Sequence, residues 1–388
     1  MHAIDNDAVA LPQVDRLSLH FVDGQGFLLD PASERLYALN TSATLVWSLV
    51  AEGRSNGEIC QILISEYGVP AEDAARFLSD LLRSWDAAQA NETRGSAAQR
   101  FAPTYGRPRL TVAETQHYRL HDSAFRVAFA SAGLRAAVHP LLEGLATETV
   151  AAALDVAIEP AGDAVSIVAD GREIGFAPSL DAAAVAARAS LTQLAVEKSG
   201  GLCAVHAGAL AANGRALLLP GNAGHGKSTL SAGLAAAGFA MLSDDTTLLA
   251  GRPLRVAPLP TGLCVKRGAY ELLGPLFPRL ADLTEWSRPD GLVAKYLMPG
   301  LDLAWATEPL PAQWLVFPHY DPSHVTKLVP LARPQALERL LPGVYFLSRT
   351  LDAANLDGLI AWIAGIDCYE LPLSSLDEAV ALLRARCR

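Results

Sequence analysis

The sequence predicts an α/β protein in two unequal parts: a small α+β unit, then a larger α/β domain built around a phosphate-binding loop. Three observations predict it. Gly221-Asn222-Ala223-Gly224-His225-Gly226-Lys227-Ser228 fits G-x-x-x-x-G-K-[ST]. Ala216-Leu217-Leu218-Leu219 reads as a buried strand before this loop, and Ser228 to Ala237 reads as a helix after it, with Leu230 and Leu234 on one face. The first 88 residues read as short strands followed by three helices, whereas strands and helices mix through the rest of the chain.

The composition sets the class. Of 388 residues, 51% are hydrophobic and 19% charged, as in a folded chain with a sizeable core. A formal net charge of −10 argues against broad binding to nucleic acid or to an anionic membrane. No uninterrupted apolar run reaches the roughly 18 residues of a transmembrane helix. The N-terminus, MHAIDNDAVALPQVDR, is acidic and lacks the positive region of a signal peptide. Cys60, Cys203, Cys264, Cys368 and Cys387 are scattered, without C-x-x-C spacing, and read as reduced thiols of a cytoplasmic protein.

The small unit comes first. Leu17, Leu19 and Phe21 alternate as a strand, and Asp23-Gly24 turns the chain. Phe27-Leu28-Leu29 and Leu36-Tyr37-Ala38-Leu39 flank a polar turn at Asp30-Pro31. A helix from about Thr41 carries Ala43, Val46, Trp47 and Val50 at helical spacing. Ser55-x-x-Glu58 is a capping box opening a second helix that is expected to bury Ile59, Ile62, Leu63 and Tyr67. A third helix, starting at Pro70 or Ala71, puts Ala74, Phe77, Leu78, Leu81, Leu82 and Trp85 on one stripe.

Leu39-Asn40-Thr41-Ser42-Ala43-Thr44-Leu45-Val46-Trp47, then Glu52-Gly53, Glu58-Ile59 and Tyr67-Gly68-Val69, resembles the PqqD family. The resemblance covers residues about 15–88 and implies a winged-helix-like domain that binds the leader segment of a ribosomally made precursor peptide. Peptides of that family are held by adding a strand to the small sheet and packing on a helix. Most matching positions are core and turn residues, which bear on the fold more than on the function.

Residues 89–106 are small and polar without a period, a linker, and 107–388 form the second domain. Its accessory part, 107–198, carries a strand at Phe125, Val127 and Phe129, a helix over 133–147, strands at 154–158, 165–168 and 174–176, and an alanine-rich helix from Ala182 to Lys198. Asp170-Gly171 is a hairpin turn. The core, 199–388, continues past the loop with a strand at Gln313–Pro318, helices from Pro334, over Leu356–Ile366 and over Ser375–Arg386, and a strand at Tyr369–Pro372.

The chemistry gathers around the loop. Backbone N–H groups of Gly221, Asn222, Ala223, Gly224, His225 and Gly226 can cradle phosphates. Lys227 supplies a charge near the outer ones, Thr229 is counted with the nucleotide-binding stretch, and the Ser228 hydroxyl can ligate Mg²⁺. Phe239 to Ser243 reads as a strand beside the loop strand, ending in Asp244-Asp245. Phosphoryl transfer needs the phosphates held, the metal placed and the acceptor hydroxyl relieved of its proton. Ser228 with one aspartate meets the second need, and the other aspartate meets the third. The alternative reading of the pair is a turn with one solvated member, and that of His206, in Val205-His206-Ala207-Gly208, a satisfied core histidine. His225 occupies a variable loop position and reads as filler. Lys266, Arg288 and Lys295 are candidates for a charge clamp on transferred phosphate. His319 and His324 flank a turn without partners at metal-ligand spacing.

His206-Ala207, GNAGHGKSTL and Leu242-Ser243-Asp244-Asp245 together resemble the catalytic domain of HPr kinase/phosphorylase, whose core is like that of phosphoenolpyruvate carboxykinase. The resemblance spans about residues 110–385, thinly outside 200–250. It implies ATP and Mg²⁺ as cofactors, His206 in the active site, Asp245 as general base and Asp244 as metal-side partner. Two features depart from the family. Thr229 stands where an acidic residue follows the loop serine, and the later glycine- and arginine-rich signature that positions HPr is missing. Pro260–Lys266 and Arg288–Leu297 look instead like HPr-kinase-related proteins that accompany peptide-modifying systems. HPr is therefore not the expected substrate. Ring hexamers occur among HPr kinases, but the extra domain and the missing signature make them a poor guide here, and a homo-oligomer is left open.

The expectation is an ATP-dependent kinase acting on a hydroxyl, a serine or threonine of a peptide recruited by the first domain. The alternatives are a kinase for a small-molecule alcohol and a nucleotide-dependent chaperone or switch.

Overall fold

A computed structural model of the chain describes residues 17–31, 35–90, 113–149, 153–222, 224–347 and 351–388, with side chains as far as Leu82 in the helix that ends at residue 90. The acidic N-terminus, most of the expected linker, the Trp85 side chain and Ala223 of the loop lie outside the described residues. The chain divides into two compact units, Met1–Ala102 with Thr350–Ala364, and Pro103–Arg349 with Gly365–Arg388. The second domain is thus interrupted: a segment expected inside it clusters with the first unit.

In the first unit β1 (Ser18–Val22), β2 (Gln25–Asp30) and β3 (Arg35–Ala38) form an antiparallel sheet in that order. Asp23 and Gly24 both take positive φ, the backbone a two-residue hairpin turn needs. Then come α1 (Thr41–Ala51), capped by the Asn40 side chain, α2 (Asn56–Ser65), with the Ser55/Glu58 capping box formed, and α3 (Ala71–Ala90). Their stripes meet in one core of Val46, Trp47, Ile59, Leu63, Leu78 and Leu82 with Leu28 and Leu39 of the strand segments.

Two sequence expectations fail here. Tyr67 is 58% exposed, because α2 ends at Ser65 before that position can turn inward. In β1 the buried residues are His20 and Val22, while Phe21 is 50% exposed. The reason is a second cover on the sheet. His20 stands opposite Phe27, so the two share a face. On that face His20 Nδ1 lies 2.7 Å from Asp357 Oδ1, on a helix from far down the chain, Ala353–Ile363, that packs on β1. Phe27, Leu28 and Leu29 are consequently all buried, the unbroken apolar run of a strand covered on both sides.

The second unit opens with β4 (Glu114–Leu120), β5 (Ser123–Phe129), α4 (Ala132–Leu142), β6 (Leu154–Ala161), β7 (Ala164–Ala169), β8 (Arg172–Ala177) and α5 (Ala183–Lys198). The five strands form a sheet in chain order, with β5 and β6 parallel. The polar strand β4 escaped the sequence reading because only Tyr118 and Leu120 of its residues are buried. The helix expected over 133–147 ends at Leu142 and tightens into a 3₁₀ turn. This layer shares one hydrophobic core with Ala204, Leu248, Ala257 and Leu259, so the accessory part and the rest pack together.

Next in the chain are β9 (Cys203–Val205), β10 (Ala207–Ala212), β11 (Arg215–Pro220), α6 (Lys227–Ala236), β12 (Ala240–Ser243), β13 (Thr247–Ala250) and β14 (Arg255–Ala257). Then follow β15 (Leu263–Lys266), α7 (Tyr270–Leu273), β16 (Trp286–Ser287), β17 (Val293–Leu297), β18 (Ala312–Tyr320), β19 (Val329–Pro330), α8 (Arg333–Leu340) and β20 (Val344–Phe346). The Ala353–Ile363 helix is α9, and β21 (Asp367–Leu373) and α10 (Leu376–Arg386) end the chain. The central sheet has the order β12-β10-β11-β18-β21-β19. β11, β18 and β21 run parallel, and α6 packs beside α10 over this sheet. The strand that ends in the two aspartates, β12, does not adjoin the loop strand. β10 lies between them, antiparallel to both, which leaves β12 pointing the same way as β11.

Candidate functional site

The glycine loop owes its position to β11. Ala216, Leu217, Leu218 and Leu219 are fully buried, so the strand is fixed in the middle of the sheet and delivers Gly221 at its C-terminal end. Gly226 is the N-cap of α6 at φ +84°, and no side chain caps that helix. The N–H groups of its first turn and the positive end of its dipole are thus offered to an anion. A Cβ at Gly226 would come within 3.3 Å of Tyr320 Cβ. Gly226→Ala is therefore expected to lower the unfolding free energy by about 1–3 kcal/mol, read by chemical denaturation.

Lys227 is the hub. Its ammonium is buried and donates to Gly221 O, to Asn222 O at 3.2 Å and to His206 Nε2 at 3.1 Å. Burial lowers its pKa, the nearby Asp245 and Asp244 carboxylates oppose the shift, and Lys266 adds to it. An ammonium only donates, so His206 accepts at Nε2 and carries its proton on Nδ1. That Nδ1 donates to Asp245 O at 3.0 Å and lies 3.5 Å from the Asp245 carboxylate. The His206 side chain is 44% exposed, which excludes the core-histidine reading.

The two aspartates divide into one buried and one open. They lie in the short connection between β12 and β13. Beneath it the Ser243 and Thr247 hydroxyls are 2.7 Å apart, and Thr247 Oγ1 donates to Ala207 O at 2.9 Å. Asp245 takes φ +66°, and its side chain is 64% exposed. Asp244 is buried. Its Oδ1 accepts from Ser228 Oγ at 3.3 Å and its Oδ2 from Cys264 N at 2.9 Å. Burial pushes its pKa up to about 6, and Asp245 adds to this. The Cys264 N–H, the Arg188 charge and the Ser228 hydroxyl pull the other way.

Of the clamp candidates, Lys266 is exposed and close enough to act on Lys227. Lys295 is spent elsewhere: it is buried, donates to Leu280 O at 2.7 Å and Ala281 O at 2.9 Å, and stands over the Tyr270 ring. Arg288 pairs with Asp290 at 2.8 Å and donates to Cys264 Sγ. Lys295 is thus a correction to the clamp expectation, whereas Arg288 stays beside Cys264, whose N–H donates to Asp244. An arginine that the sequence reading passed over, Arg188 on α5, donates to Thr261 O at 2.8 Å and Gly262 O at 3.3 Å and acts on Asp244. It sits in an alanine-rich helix whose composition signals packing alone.

His225 is more than filler, for its ring stacks on His319 at 4.7 Å, and His324 meets His319 edge-on at 5.1 Å. Burial, His319 and Lys227 lower the His225 pKa. Among the described residues no group of three or more His, Cys, Asp or Glu side chains is arranged to hold a metal ion. Ser228 with Asp244 is a smaller set, one hydroxyl and one carboxylate, and suits Mg²⁺ where substrate phosphates complete the shell. Phosphate oxygens fit the loop, with its uncapped helix start and buried ammonium.

Residues 25–90 match the model of the family described as coenzyme PQQ synthesis protein D (PqqD). The first unit is PqqD-like. The PqqD match opens with β2 and closes with α3. A solved structure described as TbiB1 in complex with the TbiA(beta) leader peptide is 26% identical, over 21% of this chain and 95% of that chain, with a TM-score of 0.19. No curated protein matches the chain. No helix among the described residues is long and apolar enough to cross a membrane.

Proposed function

We propose that the chain is an ATP-dependent kinase that phosphorylates a serine or threonine hydroxyl of a ribosomally made peptide, recruited by the PqqD-like unit. The observation that carries the transfer reading is the convergence of Lys227, Ser228, Asp244, His206 and Asp245 on one loop. The HPr-kinase-like motifs expected from the sequence supply those same residues. The PqqD match supports peptide recruitment, and a fused recognition unit raises the local concentration of substrate. The five free cysteines fit a reducing compartment.

In this reading the loop amides and Lys227 hold the triphosphate. Ser228 and Asp244 would hold Mg²⁺, which when bound would supply charge neutralisation at the outer phosphates. Asp245, open to solvent, takes the proton of the acceptor hydroxyl. The acceptor oxygen bonds to the γ-phosphorus, the bond from that phosphorus to the β,γ-bridging oxygen breaks, and ADP leaves with the electron pair. His206 fixes the Lys227 ammonium on one side and the Asp245 backbone on the other.

The test is mass spectrometry of the peptide encoded beside this gene after incubation with the full chain, Mg²⁺ and ATP. A gain of one phosphate on the peptide is expected, slowed when excess free leader segment competes. ATP consumption that ignores the peptide would instead support a nucleotide-dependent switch. Competition is preferable to truncation after residue 90, because that cut would remove the sheet on which α9 packs.

A further inference from the structure

The parallel strands β11, β18 and β21 end along one edge of the central sheet, the edge at which open α/β sheets take ligands. The glycine loop leaves β11 there, and a second segment, residues 321–326, leaves β18 beside it. Two contacts join the loop to the end of β18. The Tyr320 N–H donates to His225 O at 3.3 Å, and the His225 and His319 rings stack with 21° between their planes. The second segment is well tied down. Asp321 Oδ1 accepts from Ser323 N at 2.8 Å and Ser323 Oγ at 2.6 Å. Thr326 Oγ1 accepts from the N–H groups of Ser374 and Ser375, each at 3.1 Å. Yet the end of β18 and the segment it leads into hold aromatic and apolar groups outward: His319 is exposed, Tyr320 is 48% exposed and Val325 76%.

We propose that this ledge seats the purine base of the nucleotide, which stacks on the His319 and Tyr320 rings while its phosphates lie in the glycine loop. The proposal rests on the reading of that loop as nucleotide-binding and adds a base site to it. Side chains buried elsewhere in the sheet are held out to solvent here, on a segment fixed by hydrogen bonds and continuous with the loop. Flat rings on a rigid support are what a planar heterocycle needs, whereas a bare polyanion gains nothing from them. Stacking reads the face of a base and not its edge, so adenine and guanine nucleotides bind alike.

Calorimetry on the full chain with Mg-ATP, Mg-GTP and Mg-tripolyphosphate tests this. The two nucleotides are expected to bind within about threefold of each other, and tripolyphosphate about tenfold more weakly or worse. Tyr320→Ala and His319→Ala should each weaken both nucleotides about tenfold and leave tripolyphosphate unchanged. Tripolyphosphate binding as tightly as ATP would overturn the base site and leave the phosphate loop standing. Full nucleotide affinity in both variants would do the same. Failure of all three ligands to bind the native chain would overturn both readings.

Discussion

Asp245→Asn is expected to slow phosphoryl transfer by about a hundred- to ten-thousand-fold, the usual contribution of a general base, and to leave ATP affinity nearly unchanged. The substitution isolates chemistry from folding. Asp245 takes φ +66°, a backbone conformation that asparagine adopts more readily than most residues, so the turn survives. The bond from His206 Nδ1 goes to the Asp245 carbonyl, which asparagine keeps. The loop amides are untouched. Lys227 loses one of the two carboxylates that oppose the lowering of its pKa and keeps the other, Asp244. The acceptor for the substrate proton is lost. Single-turnover transfer to peptide, measured beside calorimetric ATP affinity, separates the two effects. Transfer at the native rate would remove Asp245 from the reaction, and equal loss of binding and transfer would make it a binding residue.

What the sequence disclosed follows the range of the forces involved. The glycine loop between a strand and a helix was readable because glycines, lysine and serine fall in one short window, with a buried strand before it and a helix after it. β11 and α6 answer that reading to within a residue or two. The PqqD-like unit was readable because three amphipathic helices and a capping box are local features. What escaped is set by pairing between distant segments. That β10 separates β12 from β11 depends on sheet order, which no local pattern encodes. That α9 covers the first unit's sheet depends on the chain returning to it. The hint was present in Phe27-Leu28-Leu29, an unbroken apolar run where a sheet covered on one side would alternate. The histidine stack escaped for the same reason, since His225 and His319 meet only because β11 and β18 are neighbours.

Asp244→Asn carries the second large effect, and its two consequences have opposite signs. Removing the buried carboxylate takes away the charged half of the Ser228/Asp244 donor pair, so Mg²⁺-dependent turnover should fall to background. Stability should rise. In the folded chain burial, aided by Asp245, lifts the Asp244 pKa from 3.8 to about 6. Between those values the folded state holds a proton that the unfolded chain releases. Stability therefore falls as pH climbs from about 4 to about 6, and the full penalty stands above that. Two pKa units correspond to about 3 kcal/mol as an upper figure. Asparagine matches the shape, can accept from the Cys264 N–H and can donate to Ser228, and has no charge to desolvate. The variant should thus unfold at a higher temperature than the native chain at pH 8 and at nearly the same temperature at pH 4, with both proteins scanned in chelator. A variant less stable at pH 8 would mean that the carboxylate is held by its hydrogen bonds more strongly than burial opposes it. A more stable but inactive variant would mark Asp244 as a residue kept for chemistry at a cost to the fold, which a purely structural turn has no reason to carry.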